Sequence, residues 1–579
     1  MTQRNAKPII TLVFSPPGKR RQISDLLKTR YGKQRVFNVE QELADKLKKL
    51  DDKVSNIFDA INSFSRSILQ EYWRETIKDI IGRIEAYEHE EEANNHYFIL
   101  TNALYYKSTT TEFFSVVDAK FVNNSLSDKL TPIAQTVLFI DDIYDTFLEL
   151  EGPKDLFGYT AFRQYKQNYK KFVELSDDKK DIAKLYISWA QYCLNLILSW
   201  RASEIILSQK ISDELGSRFV LWSLKQDLDT LLEWLEKPND KIFYISHAIS
   251  EPRKELEEDK PPPSVITVIN KVQIELRKLH IYSIMPTGID ELRLERTGNG
   301  YTGKLSMRWP VPEAVHETLS KNDLIRNLSS DILLPNTMDL KLDKKGLDSN
   351  SIAEIQDYVN GSFRVLESSI LEQVGNRDHW LVWLTDAILV IGPYSAKKGK
   401  VHSGMEREIQ YIKEVNRTTS PKRKISVILS KEDVQSILNR PDFTENYRFK
   451  LVQIVQREFP KLRENEGLVN ELIDGEGNLV EEENQASIGR FLDANSLQSL
   501  RNNFSKYQEE SKLYTVLNFA SWLGQSDMEY TQPIIVQDFE QTLSSLVLEK
   551  IKQFLLHDKK DEEWKEIILQ LASKRTEHP

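Results

Sequence analysis

Two carboxylates separated by a basic loop are the residues of this sequence best suited to chemistry. Asp386 interrupts the apolar run 381–392 (LVWLTDAILVIG), and Glu408 lies in the charged run MEREIQYIKEV that follows Ser403 and Gly404. A short run of β-branched and aromatic residues is typical of a buried central strand, where a carboxylate is costly unless it is paired or functional. One carboxylate of such a pair can trap an oxocarbenium-like centre while the other protonates the leaving group.

Glu408 is preferred over Glu406 as the nucleophile of this pair. The two residues are two positions apart, so a helix places them on nearly opposite sides. If Met405, Ile409 and Ile412 form the buried stripe, Glu408 lies nearer to it. We also place Glu408 in the first helical turn, where the positive end of the helix dipole keeps a carboxylate ionised. The alternative is that both glutamates belong to a solvated helical face.

Polar groups near the ends of neighbouring elements extend this candidate site. His247 follows the predicted strand 241–246, and Ser403 and Gly404 open the predicted helix. Ligands bind at the carboxyl ends of parallel strands and at helix amino termini, so we expect these three residues to contact a nucleotide. For His247 a hydrogen bond to neighbouring backbone is an equal alternative. Three lysines of the loop would suit a phosphorylated substrate, or form an ordinary surface loop: Lys397, Lys398 and Lys400.

In order and type, these segments resemble the nucleoside 2-deoxyribosyltransferase family, a Rossmann-like group that cleaves N-glycosidic bonds of nucleosides and nucleotides. The resemblance spans residues 241–435. It is carried by Ser246-His247, by Asp386-Ala387 and by GMERE at 404–408. It implies that Glu408 is the nucleophile and Asp386 a substrate-binding or acid residue.

A second candidate site lies near the amino terminus. The β-branched strand 8–15 runs through PPGKRRQ into a helix, and this loop contains Gly18 and Lys19. Further on, the apolar segment QTVLFIDD ends in Asp141 and Asp142, as a magnesium-binding strand does. This half resembles a P-loop NTPase of the adenylate-kinase type. The resemblance implies a nucleotide bound at these four residues, with Mg²⁺ as its accompanying ion.

The amino-terminal loop departs from the P-loop pattern at two positions. Val13 stands where the pattern has its first glycine, and Arg20 stands where it has a serine or threonine for magnesium. Pro16 and Pro17 also lack backbone N–H groups that could hold a phosphate. A P-loop-like scaffold with weak or no nucleotide binding is therefore a second interpretation of this half.

Composition limits the class of protein. The chain has 579 residues, a net charge of −10, 40% hydrophobic residues and one cysteine. This length suggests several domains, and a single cysteine excludes a disulfide framework. Finely mixed charges with an acidic excess argue against nucleic-acid binding. The histidines and cysteine show no metal-ligand spacing, and no apolar segment is of bilayer length. We therefore expect a soluble, cytoplasmic protein.

The order of predicted elements gives an α/β fold in three parts. The first is a helix-rich, P-loop-like domain over residues 1–240, and the second a doubly wound parallel-sheet domain over 241–435. The third is a helical carboxy-terminal region over 436–579. The turn cluster at 237–240 marks the first boundary.

These observations lead to one functional hypothesis and two alternatives. The hypothesis is a nucleotide-processing protein that hydrolyses or transfers an N-glycosidic bond of a nucleoside, nucleotide or NAD. The alternatives are a catalytically silent nucleotide sensor or scaffold, and a nucleotide kinase that depends on Lys19. The expected partner is a nucleotide or nucleoside ligand. Self-association into a homo-oligomer stays open.

Overall fold

Short runs rich in β-branched residues form the strands of two parallel sheets. The computed structural model describes residues 8–16, 19–87, 96–107, 109–110, 112–126, 130, 132–140, 179–224, 226–237, 240–248, 264–286, 292–297, 300–307, 332–333, 348–420, 422–463, 466–480, 492–521, 530–543 and 545–557. The chain folds into two compact units. The first unit holds residues 1–240 and 286–380, and the second holds 241–285 and 381–579.

The strands are named in chain order. They are β1 (Ile9–Phe14), β2 (Val36–Asn38), β3 (His96–Thr101), β4 (Tyr105–Lys107), β5 (Glu112–Phe114), β6 (Ile133–Ile140), β7 (Arg218–Ser223), β8 (Ile242–His247), β9 (Tyr282–Ile284), β10 (Leu292–Thr297), β11 (Gly300–Met307), β12 (Ile332–Leu333), β13 (Ala387–Ile391), β14 (Tyr394–Ser395), β15 (Lys400–Val401), β16 (Lys424–Ser430) and β17 (Thr531–Val536).

The helices are named in the same way. They are α1 (Arg20–Tyr31), α2 (Val39–Lys48), α3 (Ile57–Ser63), α4 (Arg66–Tyr87), α5 (Ala119–Ser125), α6 (Lys179–Leu215), α7 (Leu228–Glu236), α8 (Ser264–Lys278), α9 (Ser349–Leu384), α10 (Ser403–Thr418), α11 (Lys431–Leu438), α12 (Phe443–Glu458), α13 (Glu466–Leu472), α14 (Ala494–Ser521) and α15 (Ser545–His557).

The sheet of the first unit has the strand order β2-β3-β1-β6-β7, and all of its neighbours are parallel. β1 lies at its centre, as expected for an apolar strand that is buried on both faces. From β1 the chain moves to one side of the sheet through α1 and β2, whereas from β6 it moves to the other side, to β7. The pair β1/β6 is therefore a topological switch point, where open α/β sheets bind ligands.

The sheet of the second unit has the strand order β9-β8-β13-β16-β17, again with parallel neighbours throughout. One face packs on α8 and α15 through a core that contains Phe243, Ile245, Leu389, Val272 and Ile551. Side chains alternate between the faces of a strand, so Tyr244 and Ser246 lie on the opposite face. Helix α10 packs against β8, and its apolar stripe is separate from that core. The expected α/β class with doubly wound parallel sheets is confirmed, and the carboxy-terminal region is largely helical.

The strand expected at 381–392 is shorter than its apolar sequence suggests. Leu381–Leu384 form the last turn of α9, and β13 begins only at Ala387. The Thr385 hydroxyl donates to the Val382 carbonyl at 3.1 Å, and Arg423 donates to the carbonyls of Trp383 and Thr385 at 2.9 and 3.1 Å. These donors satisfy carbonyls at the helix end, which is why the chain can end a helix and start a strand inside one apolar run.

Two further strands lie where the sequence indicated helix. β7 occupies part of the predicted helix 210–236, and β17 lies within the region 436–579 and pairs with β16. Each contains an apolar run of only four residues, FVLW in β7 and PIIV in β17, and periodicity alone does not distinguish so short a run from part of a buried helix. With β17 in place, the second sheet extends beyond the predicted limit of residue 435.

Candidate functional site

The second sheet brings β8 and β13 together at its switch point. From β8 the chain runs through α8 to β9 on one side, and from β13 it runs through α10 to β16 on the other. His247 and Ile391 are register partners at the carboxyl ends of these strands. A crevice between diverging connections is the expected ligand site of such a sheet.

Glu408 lies on the face of α10 that packs inward. Its side chain is 4% exposed and shares the buried stripe with Met405, Ile409 and Ile412. Glu406 is only half-buried, as the helical spacing predicted. Because α10 begins at Ser403, Glu406 is the acid of the first turn and Glu408 lies in the second turn, so the dipole argument does not select Glu408. Burial, rather than the helix dipole, distinguishes Glu408.

Ser246 and His247 occupy the carboxyl end of β8. Ser246 is fully buried, and its hydroxyl makes no hydrogen bond to any residue that the structure describes. Ser246 and α10 lie on the same face of the sheet. The Nδ1 atom of His247 lies 3.1 Å from the Ala248 carbonyl oxygen, a contact that requires Nδ1 to carry the proton. This is the backbone contact foreseen as the alternative for His247.

Asp386 lies at the amino edge of the sheet, so the prediction that places it at the carboxyl edge with Glu408 is wrong in position. Asp386 precedes β13 and is exposed. Its Oδ2 atom accepts a hydrogen bond from the Ile242 backbone N–H at 2.8 Å, at the amino end of β8. β13 has five residues, so at ~3.3 Å per step its first and last residues lie about 13 Å apart. Because α9 extends to Leu384, the aspartate falls before the strand rather than within it.

A hairpin follows β13 and carries the three lysines. Lys397, Lys398 and Lys400 are all exposed. The Arg440 guanidinium donates to the carbonyl of Gly399 and holds the tip of the hairpin. Asp433 lies in the first turn of α11, where it forms a capping box with Ser430, the last residue of β16. Burial raises the pKa of Asp433 to about 6, although hydrogen bonds from Ser430 and from the Ala396 backbone oppose the shift.

Ser403 and Gly404 are the first two residues of α10, and both are exposed. The His402 backbone N–H donates to the Pro393 carbonyl at 3.0 Å, so the hairpin 394–401 returns to the end of β13 before α10 begins. The helix amino terminus is thus attached at the carboxyl edge of the sheet. This position is the one expected of residues that contact a ligand at the switch point.

In the first unit, Lys19 immediately precedes α1 and its side chain is 2% exposed. Its backbone N–H donates to the Pro16 carbonyl at 3.0 Å, which closes a tight turn after β1. The other predicted nucleotide-binding residues of this unit, Gly18, Asp141 and Asp142, lie outside the described residues.

Sequence reasoning missed Glu40, a buried carboxylate at the carboxyl edge of the first sheet. Its Oε1 atom accepts hydrogen bonds from the Thr101 hydroxyl, the Asn102 backbone and the Tyr105 hydroxyl at 2.9, 2.6 and 2.8 Å. Its Oε2 atom lies 3.3 Å from Nη1 of Arg20. Arg20, noted only as a departure from the P-loop pattern, is therefore half of a buried ion pair.

Glu204 on α6 is a second buried carboxylate that the sequence did not indicate. Burial raises its pKa to about 7, and the charges of Arg20 and Arg201 oppose the shift. All three side chains are less than 9% exposed. Arg20 and Glu204, both within the described residues, form no direct ion pair.

No protein-family model matches the sequence, and no curated protein matches it. Among the described residues, no group of three or more His, Cys, Asp and Glu side chains could hold a metal ion. In that same part of the chain, no helix combines the length and the apolar character needed to cross a membrane.

Proposed function

We propose that the second unit cleaves or transfers an N-glycosidic bond of a nucleoside, nucleotide or NAD, with Glu408 as the nucleophile. The observation that carries this proposal is the burial of Glu408 on the helix face packed at the β8/β13 switch point. A carboxylate on an apolar helix face is costly, and natural proteins keep such groups where they act. The resemblance of 404–408 to deoxyribosyltransferases points to the same residue.

The reaction follows from the chemistry of a single carboxylate. An Oε atom of Glu408 attacks C1′ of the sugar while the C1′–N bond breaks and its electron pair leaves with the base, which takes a proton from solvent. A water molecule or a second base then attacks C1′, the ester to Glu408 breaks, and the attacking group loses its proton. With Asp386 at the opposite edge of the sheet, the proton for the leaving base does not come from that residue.

Neighbouring groups supply the binding functions that this chemistry needs. The buried Ser246 hydroxyl lies on the same sheet face as α10 and can donate a hydrogen bond to a bound sugar. The exposed lysines of the hairpin can attract the phosphate of a nucleotide, since they lie beside the same strand end. The proposal therefore favours a nucleotide over an uncharged nucleoside, in a cytoplasmic setting.

The deciding experiment measures base release by liquid chromatography from deoxynucleotides, nucleosides and NAD. We expect Glu408→Gln to lower release by about 10²-fold or more, because the amide cannot act as the nucleophile. Glu406→Gln is the matched control, with the same substitution two residues away on a half-buried position, and should retain wild-type release. Absence of release from every compound by the wild type, or equal loss in both variants, refutes the proposal.

A nucleotide sensor without turnover is a second candidate, and the loop after β1 favours it for the first unit. Pro16 has no N–H, and the backbone N–H of Lys19 is used within the turn. Nucleotide binding without base release or phosphoryl transfer would support this candidate.

The kinase alternative depends on Lys19, so phosphoryl transfer that survives Lys19→Ala would eliminate it. A nucleotide bound there would bring Mg²⁺ to polarise its phosphates.

A further inference from the structure

We infer that Arg20 and Glu204 line a buried site for an oxyanion, such as a phosphoryl or carboxylate group, in the first unit. The site lies at the carboxyl edge of the first sheet, beside the β1/β6 switch point, and is separate from the Glu408 site. The hydrogen-bond donors of this site come from the side chain of Arg20 and not from the backbone of the loop after β1.

Arg20 presents one edge of its guanidinium to this site. The side chain is 6% exposed, and its Nη1 atom pairs with Glu40. The Nε and Nη2 atoms are buried and make no hydrogen bond to any residue of the described chain. These two atoms form the fork that binds carboxylate and phosphate groups with two parallel hydrogen bonds. Burying two such donors without an acceptor is unfavourable, so a bound oxyanion accounts for them.

Glu40 fixes Arg20 in this orientation. Three donors hold its Oε1 atom, and one of them, the Thr101 hydroxyl, accepts a further hydrogen bond from the Trp73 indole N–H at 3.2 Å. Because donors from β3, from Asn102 and from β4 hold the carboxylate, it is in place to orient the guanidinium before any ligand binds. A preorganised donor binds its ligand without the cost of ordering the side chain.

Further buried polar atoms lie along the same helix faces. Ser24 follows Arg20 by one helical turn on α1, and Ser208 follows Glu204 by one turn on α6. The hydroxyls of both serines, and the Oε1 atom of Glu204, are buried and have no hydrogen-bond partner in the described residues. The charge of Arg20 acts on Glu204, yet no ion pair joins them. Arg20 and Glu204 are thus each followed, one helical turn later, by a buried hydroxyl that an oxygen-rich ligand could satisfy.

The test is calorimetric titration of the full-length protein with inorganic phosphate, ATP and citrate, which separates free phosphate, nucleotide and carboxylate ligands. We expect at least one of them to bind, and Arg20→Lys to weaken it by about tenfold or more, because lysine cannot form the fork. Arg21→Lys is the matched control, since the Arg21 side chain is 94% exposed. It should leave the affinity within about twofold of wild type.

Glu204→Gln provides an independent variant that keeps the Arg20–Glu40 pair intact. Removing a negative charge beside the site should tighten oxyanion binding several-fold at pH 8. Circular dichroism and a thermal melt establish that each variant is folded. The inference is overturned if none of the three compounds binds the wild type, if Arg20→Lys and Arg21→Lys bind equally, or if Glu204→Gln leaves the affinity unchanged.

Discussion

Asp386 and Ile242 are joined by two hydrogen bonds, one in each direction. The Ile242 backbone N–H donates to Oδ2 of Asp386, and the Asp386 backbone N–H donates to the Ile242 carbonyl, both at 2.8 Å. The contact links the amino ends of β8 and β13. The charge of Asp386 also acts on Arg423, which caps the end of α9. The carboxylate therefore stabilises the sheet at its amino edge, whereas α10 begins at the carboxyl edge.

Asp386→Ala should destabilise the second unit without reducing the chemical step. Loss of the acceptor leaves the N–H of the buried Ile242 unpaired, which costs about 1–3 kcal/mol of unfolding free energy. Asp386→Asn keeps a carbonyl acceptor and should cost less. Denaturant unfolding measures both, and base release is measured per folded molecule. If Asp386→Ala lost base release while its free energy of unfolding stayed unchanged, Asp386 would have a role in the reaction.

His96 should make the first unit sensitive to acid. Its Nε2 lies 2.8 Å from the Thr11 hydroxyl, which itself donates to Oε1 of Gln135 at 2.8 Å, so neutral His96 is the donor. Burial lowers the pKa of His96 to about 3, against an ordinary value of 6.5. The unfolded chain therefore binds a proton between pH 6.5 and 3 that the folded chain excludes. The contribution of neutral His96 to the free energy of unfolding is fully present above pH 6.5. Between pH 6.5 and 3 it falls by about 1.4 kcal/mol per pH unit.

The measurement is the pH dependence of unfolding for wild type and His96→Asn. Asparagine stays neutral, so the variant should be less stable at pH 7 but lose less stability on acidification. Parallel pH curves for the two proteins would contradict the assignment of this effect to His96.

Glu204→Gln should stabilise the first unit at alkaline pH only. Burial raises the pKa of Glu204 from 4.5 to about 7, so the folded state favours the protonated acid. The contribution of the protonated Glu204 side chain to the free energy of unfolding is fully present below pH 4.5, and it is lost as the pH rises through 7. The variant should gain about 3 kcal/mol over wild type at pH 8 and nothing below pH 4.5. Glu214→Gln, at an exposed position of the same helix, should give no gain at either pH. A gain that is independent of pH would refute this account.

The fold was predictable where one pattern excluded the others. β1, β8 and β16 are short, β-branched and bounded by turns or charged residues, and the sequence located all three. β7 and β17 have shorter apolar runs, and they lie in surroundings that also suit a helix. Their identity as strands depends on pairing with β6 and β16, which is a tertiary effect.

The same holds for the residues of the two candidate sites: the sequence predicts their local properties but not their tertiary contacts. Helical spacing selected Glu408 over Glu406, because which side of a helix is buried is a local property. The Arg20–Glu40 pair has no such local signal. Asn38 caps α2 through the backbone of Gln41, so Glu40 looks like an ordinary first-turn acid that favours the helix dipole. Only the folded sheet brings it to Arg20.

Gly392 tests how tightly the end of β13 is packed beside the proposed active site. Its φ of +58° disfavours any side chain, and an added Cβ would lie 2.8 Å from the ring of Phe539. Gly392→Ala should therefore cost about 2 kcal/mol or more of unfolding free energy. Gly404→Ala is the control, because a Cβ there meets no atom within 4 Å and alanine favours the helix by up to about 1 kcal/mol.

A second substitution separates the two causes of the Gly392→Ala effect. Phe539→Leu removes the ring that the new Cβ would meet but leaves the backbone angle unchanged. In the Gly392→Ala background this change should restore part of the lost stability, whereas in the wild-type background it should only destabilise, because it leaves a gap in the core. Equal effects of Phe539→Leu in both backgrounds would show that the backbone angle alone requires glycine at this strand end.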